Sequence, residues 1–304
     1  MKKKLATKLL RGRISFSAND FIIATQLVEP SYISLDSALL FHEVTNQVPA
    51  QIQCVTELMR ISKVKGLRPW QMEKHYLMAI ILNLLSDYNL VFKGETYLWF
   101  FHGLPKFTED LDFTALGKIP TDLAQKVSDG VKIYGMENEL KVITDNSTTF
   151  SFRIIANGPL NTSIKDRCVV FVEISKRENV IAERIPLKMD FPEYSIPVKR
   201  MSGMNLDEVG SEKVRAILTR KKGRDIFDLY FLIDSKKILF NPDLINRKLE
   251  FYRMEFSTFL FMNEVKSRAQ RFEKDLKNLV FNKLPDYESM MEKIERWVQV
   301  QNTP

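Results

Sequence analysis

The hydrophobic pattern changes period several times along the chain, and each change marks an element. From Gln71 to about Tyr88 apolar residues recur at helical spacing, and Tyr76–Leu85 (YLMAIILNLL) is apolar on nearly every face. That run predicts a buried helix, because a membrane span needs about 20 such residues. "NLVFKGE" then reads as a strand running into a loop. "TYLWFFHG" reads as a helical turn or two closed by Gly103 and Pro105, and "TEDLDFTA" as a second strand. A helix is expected near Leu123–Val131. Two strands follow in "TTFSFRIIANG" and "RCVVFVEIS", both rich in β-branched and aromatic residues. The spacing turns helical again over Asn205–Asp234, with a break at Gly223, and over Pro242–Val300, with a break at Pro285. Nearer the N-terminus, Leu35–Val44 predicts a short capped helix, "AQIQCVTE" alternates like a strand, and Gly66 with Pro69 marks a boundary. The pattern predicts a mixed α/β centre followed by a helical C-terminal unit.

Charge changes this picture only locally. The net charge is +7, but Lys2, Lys3, Lys4, Lys8, Arg11 and Arg13 precede every acid and carry nearly all of it. A basic tail of this kind is ordinarily a solvated segment. The internal cluster Lys213, Arg215, Arg220, Lys221, Lys222 and Arg224 is different, since a local patch attracts phosphates even on a near-neutral body. The two cysteines, Cys54 and Cys168, form no ligand-spaced pair. With no apolar leader or cleavage site in "MKKKLATKLLRGR", a cytoplasmic, reduced protein without a membrane anchor is expected. His42, His75 and His102 are scattered and read as packing or surface residues, and the aromatic run Tyr97 to Phe101 reads as core.

Candidate chemistry sits in "VFKGETYLWFFHGLPKFTEDLDF". On a strand, Asp110 and Asp112 point to one face while Leu111 and Phe113 point to the other. Two adjacent carboxylates repel unless a cation lies between them, and Mg²⁺ prefers carboxylates together with substrate phosphates. Spacing alone leaves a solvated strand edge equally open. Gly94 lies where a strand turns into a helix, where a bare backbone approaches a phosphate closely and helix-end N–H groups attract anions. Together these features suit nucleotidyl or phosphoryl transfer.

"FKGETYLWFFHGLPKFTEDLDF" resembles the first motif of the AbiEii-type toxins, minimal nucleotidyltransferases of type IV toxin–antitoxin systems. Lys93, Gly94, Thr96, Leu98, Phe107, Glu109, Asp110 and Asp112 match it. Two positions depart: Glu95 stands where the family has a glycine or serine, and Lys106 where it has an arginine. "VVFVEISKRE" is similar to the second strand segment and places Glu173 as a third acid, with Asp190 a further candidate. "GSEKVRAILTRKKGRDIFDLYFL" is similar to the helical motif, matching at Glu212, Lys213, Arg215, Ala216, Arg220, Arg224, Asp225 and Asp228.

The resemblance implies an α+β, DNA polymerase β-like mixed sheet with flanking helices over residues 63–235, then a helical domain over 236–304. It implies Mg²⁺ held by Asp110, Asp112 and Glu173, with Glu173 as third ligand or base. A nucleoside triphosphate is expected at Lys93, Gly94, Thr96, Lys213 and Arg224, with a catalytic role for Lys213 and Asp225 and RNA, tRNA in the best-known case, as acceptor. Arg224–Asp228 is alternatively an i,i+4 ion pair, and Arg215, Lys221 and Lys222 read as wet surface. Residues 1–62 resemble part of the AbiEi-type antitoxin over Phe21–Glu57, which implies a tethered or separate antitoxin partner. An acid at position 95 repels a triphosphate unless it turns outward or binds a metal. That keeps open an alternative, a catalytically silent binding or regulatory module.

Overall fold

The computed structural model describes residues 50–161, 163–194, 196–281 and 283–299. The calls on the basic tail, on the helix over Leu35–Val44, on His42 and on most of the antitoxin-like segment lie outside them. Seven strands form one mixed sheet: β1 (Leu90–Lys93), β2 (Asp110–Ala115), β3 (Asn138–Asp145), β4 (Thr149–Ala156), β5 (Cys168–Ser175), β6 (Ile185–Met189) and β7 (Lys199–Gly203). Their order is β3-β4-β5-β2-β1-β7-β6. Neighbours are antiparallel except β2 with β5 and β1 with β7, which are parallel. The centre of the sheet is therefore β5-β2-β1, the three strands that carry the motif residues.

These strands form where the sequence alternates or is apolar throughout. β1 is buried at every position, as expected of a strand enclosed on both faces. In β2, Leu111 and Phe113 are buried while Asp110 is exposed and Asp112 half-buried. In β5, Val170, Val172 and Ile174 are buried while Phe171 and Glu173 face the other side. Three strands were not anticipated. β3 is a largely exposed edge carrying Glu139, Lys141 and Asp145, and β6, at the other edge, contains Pro186. Charge and proline are how edge strands avoid pairing with other chains, and both hide a strand pattern. β7 is short and polar and is held by its neighbours.

Among the described residues ten α-helices surround the sheet: α1 (Ala50–Lys65), α2 (Pro69–Leu85), α3 (Gly94–His102), α4 (Leu123–Ile133), α5 (Leu206–Thr219), α6 (Arg224–Lys236), α7 (Pro242–Leu249), α8 (Thr258–Lys266), α9 (Ala269–Leu276) and α10 (Tyr287–Gln299). The strand expected over "AQIQCVTE" is instead the first half of α1. Its alternation is too brief to hold a strand, and Leu58 and Ile61, three apart further along the same helix, are buried. Helix α2 packs against β5 and α4, and α5 packs against α6, α7 and α8. Apolar residues from Leu58 to Val298 form one connected core. His75 is enclosed by Trp99, Phe100, Phe191 and Tyr194 and shares a 2.7 Å hydrogen bond with the Tyr194 hydroxyl, as a packing residue. Tyr97 is fully buried, and Trp99, Phe100 and Phe101 pack on the core. No helix among the described residues is long and apolar enough to cross a membrane.

Candidate active site

Strand register assembles the acidic wall. Asp112 lies opposite Glu173 of β5 on one side and opposite Lys93 of β1 on the other, and Asp110 lies on the same face one pleat away. The chain leaves β1 directly into α3 through Gly94, whose φ is +78°. A Cβ there would stand 2.3 Å from Oδ2 of Asp112. Glycine is thus required twice, by the left-handed backbone and by the carboxylate pressed against it. Thr96 is buried in the first turn of α3. Its hydroxyl donates to the Asp110 carbonyl and meets the Thr108 hydroxyl at 2.7 Å, which ties the helix start to the start of β2.

The opposing wall is cationic. Lys213 from α5, Arg220 at its end and Arg224 at the start of α6 face the carboxylates across a cleft of about 400 Å³. Lys93, Gly94, Glu95, Thr96, Asp110, Asp112 and Glu173 line the same cleft. Beneath it runs a chain of ion pairs. Lys213 Nζ lies 2.6 Å from Asp228 Oδ2 and 3.3 Å from Asp225 Oδ1. Arg220 grips Asp225 with two hydrogen bonds, at 2.6 and 2.8 Å. Lys106, fully buried, reaches Asp228 at 2.5 Å and Glu95 at 2.9 Å. The two departures from the motif therefore neutralise each other. Glu95 also lies 3.2 Å from Arg224 and 3.6 Å from Lys213.

Electrostatics separates the two walls. Burial, with the neighbouring Glu173, Asp110 and Glu95 carboxylates, pushes the Asp112 carboxyl up to about 7, and Lys93 offsets this only in part. Burial also raises Asp110. This wall holds more negative charge than its surroundings balance, and its donors are hard oxygens. That set fits Mg²⁺. Another trio, Glu95, Asp225 and Asp228, brings carboxylate oxygens within 4.8 Å of one another. Its charge is already met by Lys106, Lys213, Arg220 and Arg224, so it reads as an ion-pair network. Although burial alone would raise the Glu95 carboxyl, Lys106, Lys213 and Arg224 hold it well below the usual range.

The sequence profile of the family described as "Nucleotidyl transferase AbiEii toxin, Type IV TA system" matches residues 76–298. The chain belongs to the AbiEii nucleotidyltransferase toxin family. Solved structures with the same fold include a protein of H. pylori crystallised as a candidate nucleotidyltransferase, 23% identical, TM-score 0.54, over 77% of this chain and 95% of that one. JHP933 from Helicobacter pylori is 21% identical, TM-score 0.51, over 76% and 90%. MenT4, a nucleotidyltransferase toxin of Mycobacterium tuberculosis, is 18% identical, TM-score 0.53, over 81% and 90%. None of the curated proteins matches the chain.

Within this AbiEii fold, the expected residues divide into three groups. Asp110, Asp112, Glu173, Lys93, Gly94, Thr96, Lys213 and Arg224 all line the cleft. Asp225 is fully buried behind them, bound to Lys213 and Arg220. Asp190 lies elsewhere, paired with Lys188 at 2.5 Å. Arg224 is not the i,i+4 partner of Asp228; it turns to Glu95, because Lys106 and Lys213 already occupy Asp228. Arg215 is not wet surface. It lines the cleft, donates to the Tyr252 hydroxyl at 2.9 Å and approaches Glu178. Lys222 also borders the cleft.

Charged cleft residues that carried no expected role include Arg177, Glu212 and Arg220. Arg177 lies 3.8 Å from Glu173, four positions on in the same quoted segment. Glu212 holds Lys93 at 3.0 Å and Lys248 at 3.3 Å. Its match beside Lys213 was the available signal. Gly158 is structural, since a Cβ there would strike the Glu73 carboxylate that accepts from the Leu160 N–H.

Proposed function

We propose that this AbiEii nucleotidyltransferase is Mg²⁺-dependent and transfers a nucleotide from a nucleoside triphosphate to an RNA acceptor, with tRNA the favoured class. The observation that carries the reading is the cleft itself, which sets Asp110, Asp112 and Glu173 on one wall against Lys213, Arg220 and Arg224 on the other. Asp110, Asp112 and Glu173 would hold the metal, which when bound neutralises phosphate charge and activates the attacking hydroxyl. The backbone N–H groups at the start of α3, after Gly94, face the phosphates with the positive end of the helix dipole. Thr96 spends its hydroxyl on Asp110 and Thr108, so its contribution there is its N–H. Lys213 and Arg224 grip the polyphosphate. Asp225 acts as a positioning residue, because it touches Lys213 and Arg220 and does not border the cleft.

As a type IV toxin the chain works in the cytoplasm, where triphosphates and RNA are available, in phage defence or a related growth-control role. An antitoxin restrains it, either a separate protein or the antitoxin-like N-terminal segment of this chain. Incubation with each labelled nucleoside triphosphate, Mg²⁺ and total tRNA tests the reading. Label on RNA is the expected result. No transfer with any nucleotide, from protein shown to be folded, refutes it. One observation favours the silent-module alternative: Lys213 and Arg224 are both within ion-pair reach of Glu95. Absence of nucleotide binding would select that reading.

A further inference from the structure

Among the described residues, Glu95 is the one acid on the cationic side of the cleft that reaches both proposed phosphate-gripping groups. Its Oε1 lies 3.2 Å from Arg224 Nε and 3.6 Å from Lys213 Nζ, while Oε2 lies 2.9 Å from Lys106. The other carboxylates around Lys213, Asp225 and Asp228, are fully buried and do not line the cleft; Glu95 does. Arg224 has no other acidic partner within ion-pair distance among the described residues, and its Nε, although close to Glu95, makes no hydrogen bond. The pair is thus in contact but poorly aligned, as an exchangeable pair should be.

We propose that Glu95 is an internal counter-anion standing in for substrate phosphate, so that a nucleotide binds by exchanging phosphate oxygens for the Glu95 carboxylate on Lys213 and Arg224. This rests on the nucleotidyltransferase reading of the cleft and adds the determinant of its affinity and charge selectivity. Glu95, Asp225 and Asp228 face Lys106, Lys213, Arg220 and Arg224, which leaves one net positive charge in the network. Without the Glu95 charge there are two. A ligand must therefore carry enough negative charge to outcompete a carboxylate already in place. A triphosphate does so better than a diphosphate, and a diphosphate better than a monophosphate. Lys106 is the residue that holds Glu95 through the exchange, since it is fully buried and contacts Oε2, the oxygen not shared with Arg224 or Lys213.

The test compares full-length wild type, Glu95→Gln and Glu95→Ser by calorimetric titration with Mg²⁺ and each nucleoside tri-, di- and monophosphate, alongside steady-state transfer. Both variants are expected to bind triphosphate on the order of ten-fold more tightly, about 1.4 kcal/mol. They should discriminate less between triphosphate and diphosphate, with lower KM and kcat within a few-fold. Unchanged or weaker triphosphate binding in folded variants overturns the inference while leaving the nucleotide site intact. A collapse of kcat with unchanged affinity also overturns it, because Glu95 would then act in the chemistry. If wild type and variants alike bind no nucleotide, the nucleotidyltransferase reading falls and this inference falls with it. Thermal melts of all three proteins establish folding, and the two neutral side chains differ enough in size that a packing defect in one would not be shared by the other.

Discussion

Replacing Asp112 by asparagine should stabilise the metal-free protein while abolishing transfer. In the fold the Asp112 carboxyl titrates at about 7, against 3.8 for the unperturbed group, because burial and then Glu173, Asp110 and Glu95 disfavour its charge. A carboxyl raised on folding binds more protons in the native state than in the unfolded chain. Its cost to stability is therefore absent below about pH 4, grows as pH rises between the two values, and is fully present above about pH 7. The whole shift corresponds to about 4 kcal/mol. Asp112 is only half-buried and the cleft admits water, so about 2 kcal/mol is the realistic part. For a chain of this length that is a rise in Tm of about 3 °C. The assay is thermal unfolding of wild type and Asp112→Asn, in chelator and in Mg²⁺, at about pH 4 and about pH 8. The variant should be the more stable at the higher pH, with little difference at the lower one. Mg²⁺ should raise the Tm of the wild type but not of Asp112→Asn. A variant no more stable than wild type at the higher pH, or a gap that does not change with pH, refutes the like-charge argument.

Gly94→Ala and Gly103→Ala form a matched pair: both sites have φ near +78°, but a Cβ meets Asp112 only at Gly94 and nothing within 4 Å at Gly103. Each should lose about 1–2 kcal/mol to backbone strain, whereas only Gly94→Ala should lose transfer activity; equal activities would show that Asp112 tolerates displacement. Lys106→Met leaves Asp228 with Lys213 alone and Glu95 with only Arg224 and Lys213. It should cost about 3–5 kcal/mol in chemical denaturation, and a loss under about 1 kcal/mol would mean the network carries little stability. Removing residues 1–49 while keeping α1, whose Leu58 sits in the core, should raise turnover and toxicity if the antitoxin-like segment restrains the site. Equal turnover and toxicity in a soluble truncated protein would remove that role.

What was legible in the sequence follows from the range over which each feature is determined. β2 and β5 could be read because alternation is local: Leu111 and Phe113 bury one face whatever the rest of the chain does, and that fixes Asp110 and Asp112 on the other. Gly94 was legible as a special backbone position, but its nearest constraint, the Asp112 carboxylate, comes from strand pairing and could not be seen. β3 and β6 were invisible because polar and proline-containing edges carry little periodicity, and β7 because it is short and polar and held by its neighbours. The ion-pair network was invisible for a stronger reason. Glu95 and Lys106 were separately recognisable as departures from a motif, yet nothing in their spacing says that the loop after α3 brings Lys106 back beneath Glu95. That loop is pinned from far away, by Phe107 N–H to the Leu279 carbonyl and Phe281 N–H to the Pro105 carbonyl.

The same network explains how a folded chain can hold the proposed phosphate site open without paying for bare charge. Isolated cations packed between α3, α5 and α6 would repel one another and favour unfolding, and buried charges are tolerated only when paired. Here Lys93 has Glu212, Arg220 has Asp225, Lys213 has Asp225 and Asp228, and Arg224 has Glu95. Of the cleft cations only Lys222, exposed at the rim, lacks an acid within 4 Å among the described residues. Such pairing fixes the cations before any substrate arrives, which is what electrostatic preorganisation requires. Under the proposed function it also makes polyphosphate affinity a difference between two sets of ion pairs. Salt screens both sets, so binding to this cleft should depend on ionic strength less steeply than binding to an unpaired basic patch with the same number of cations.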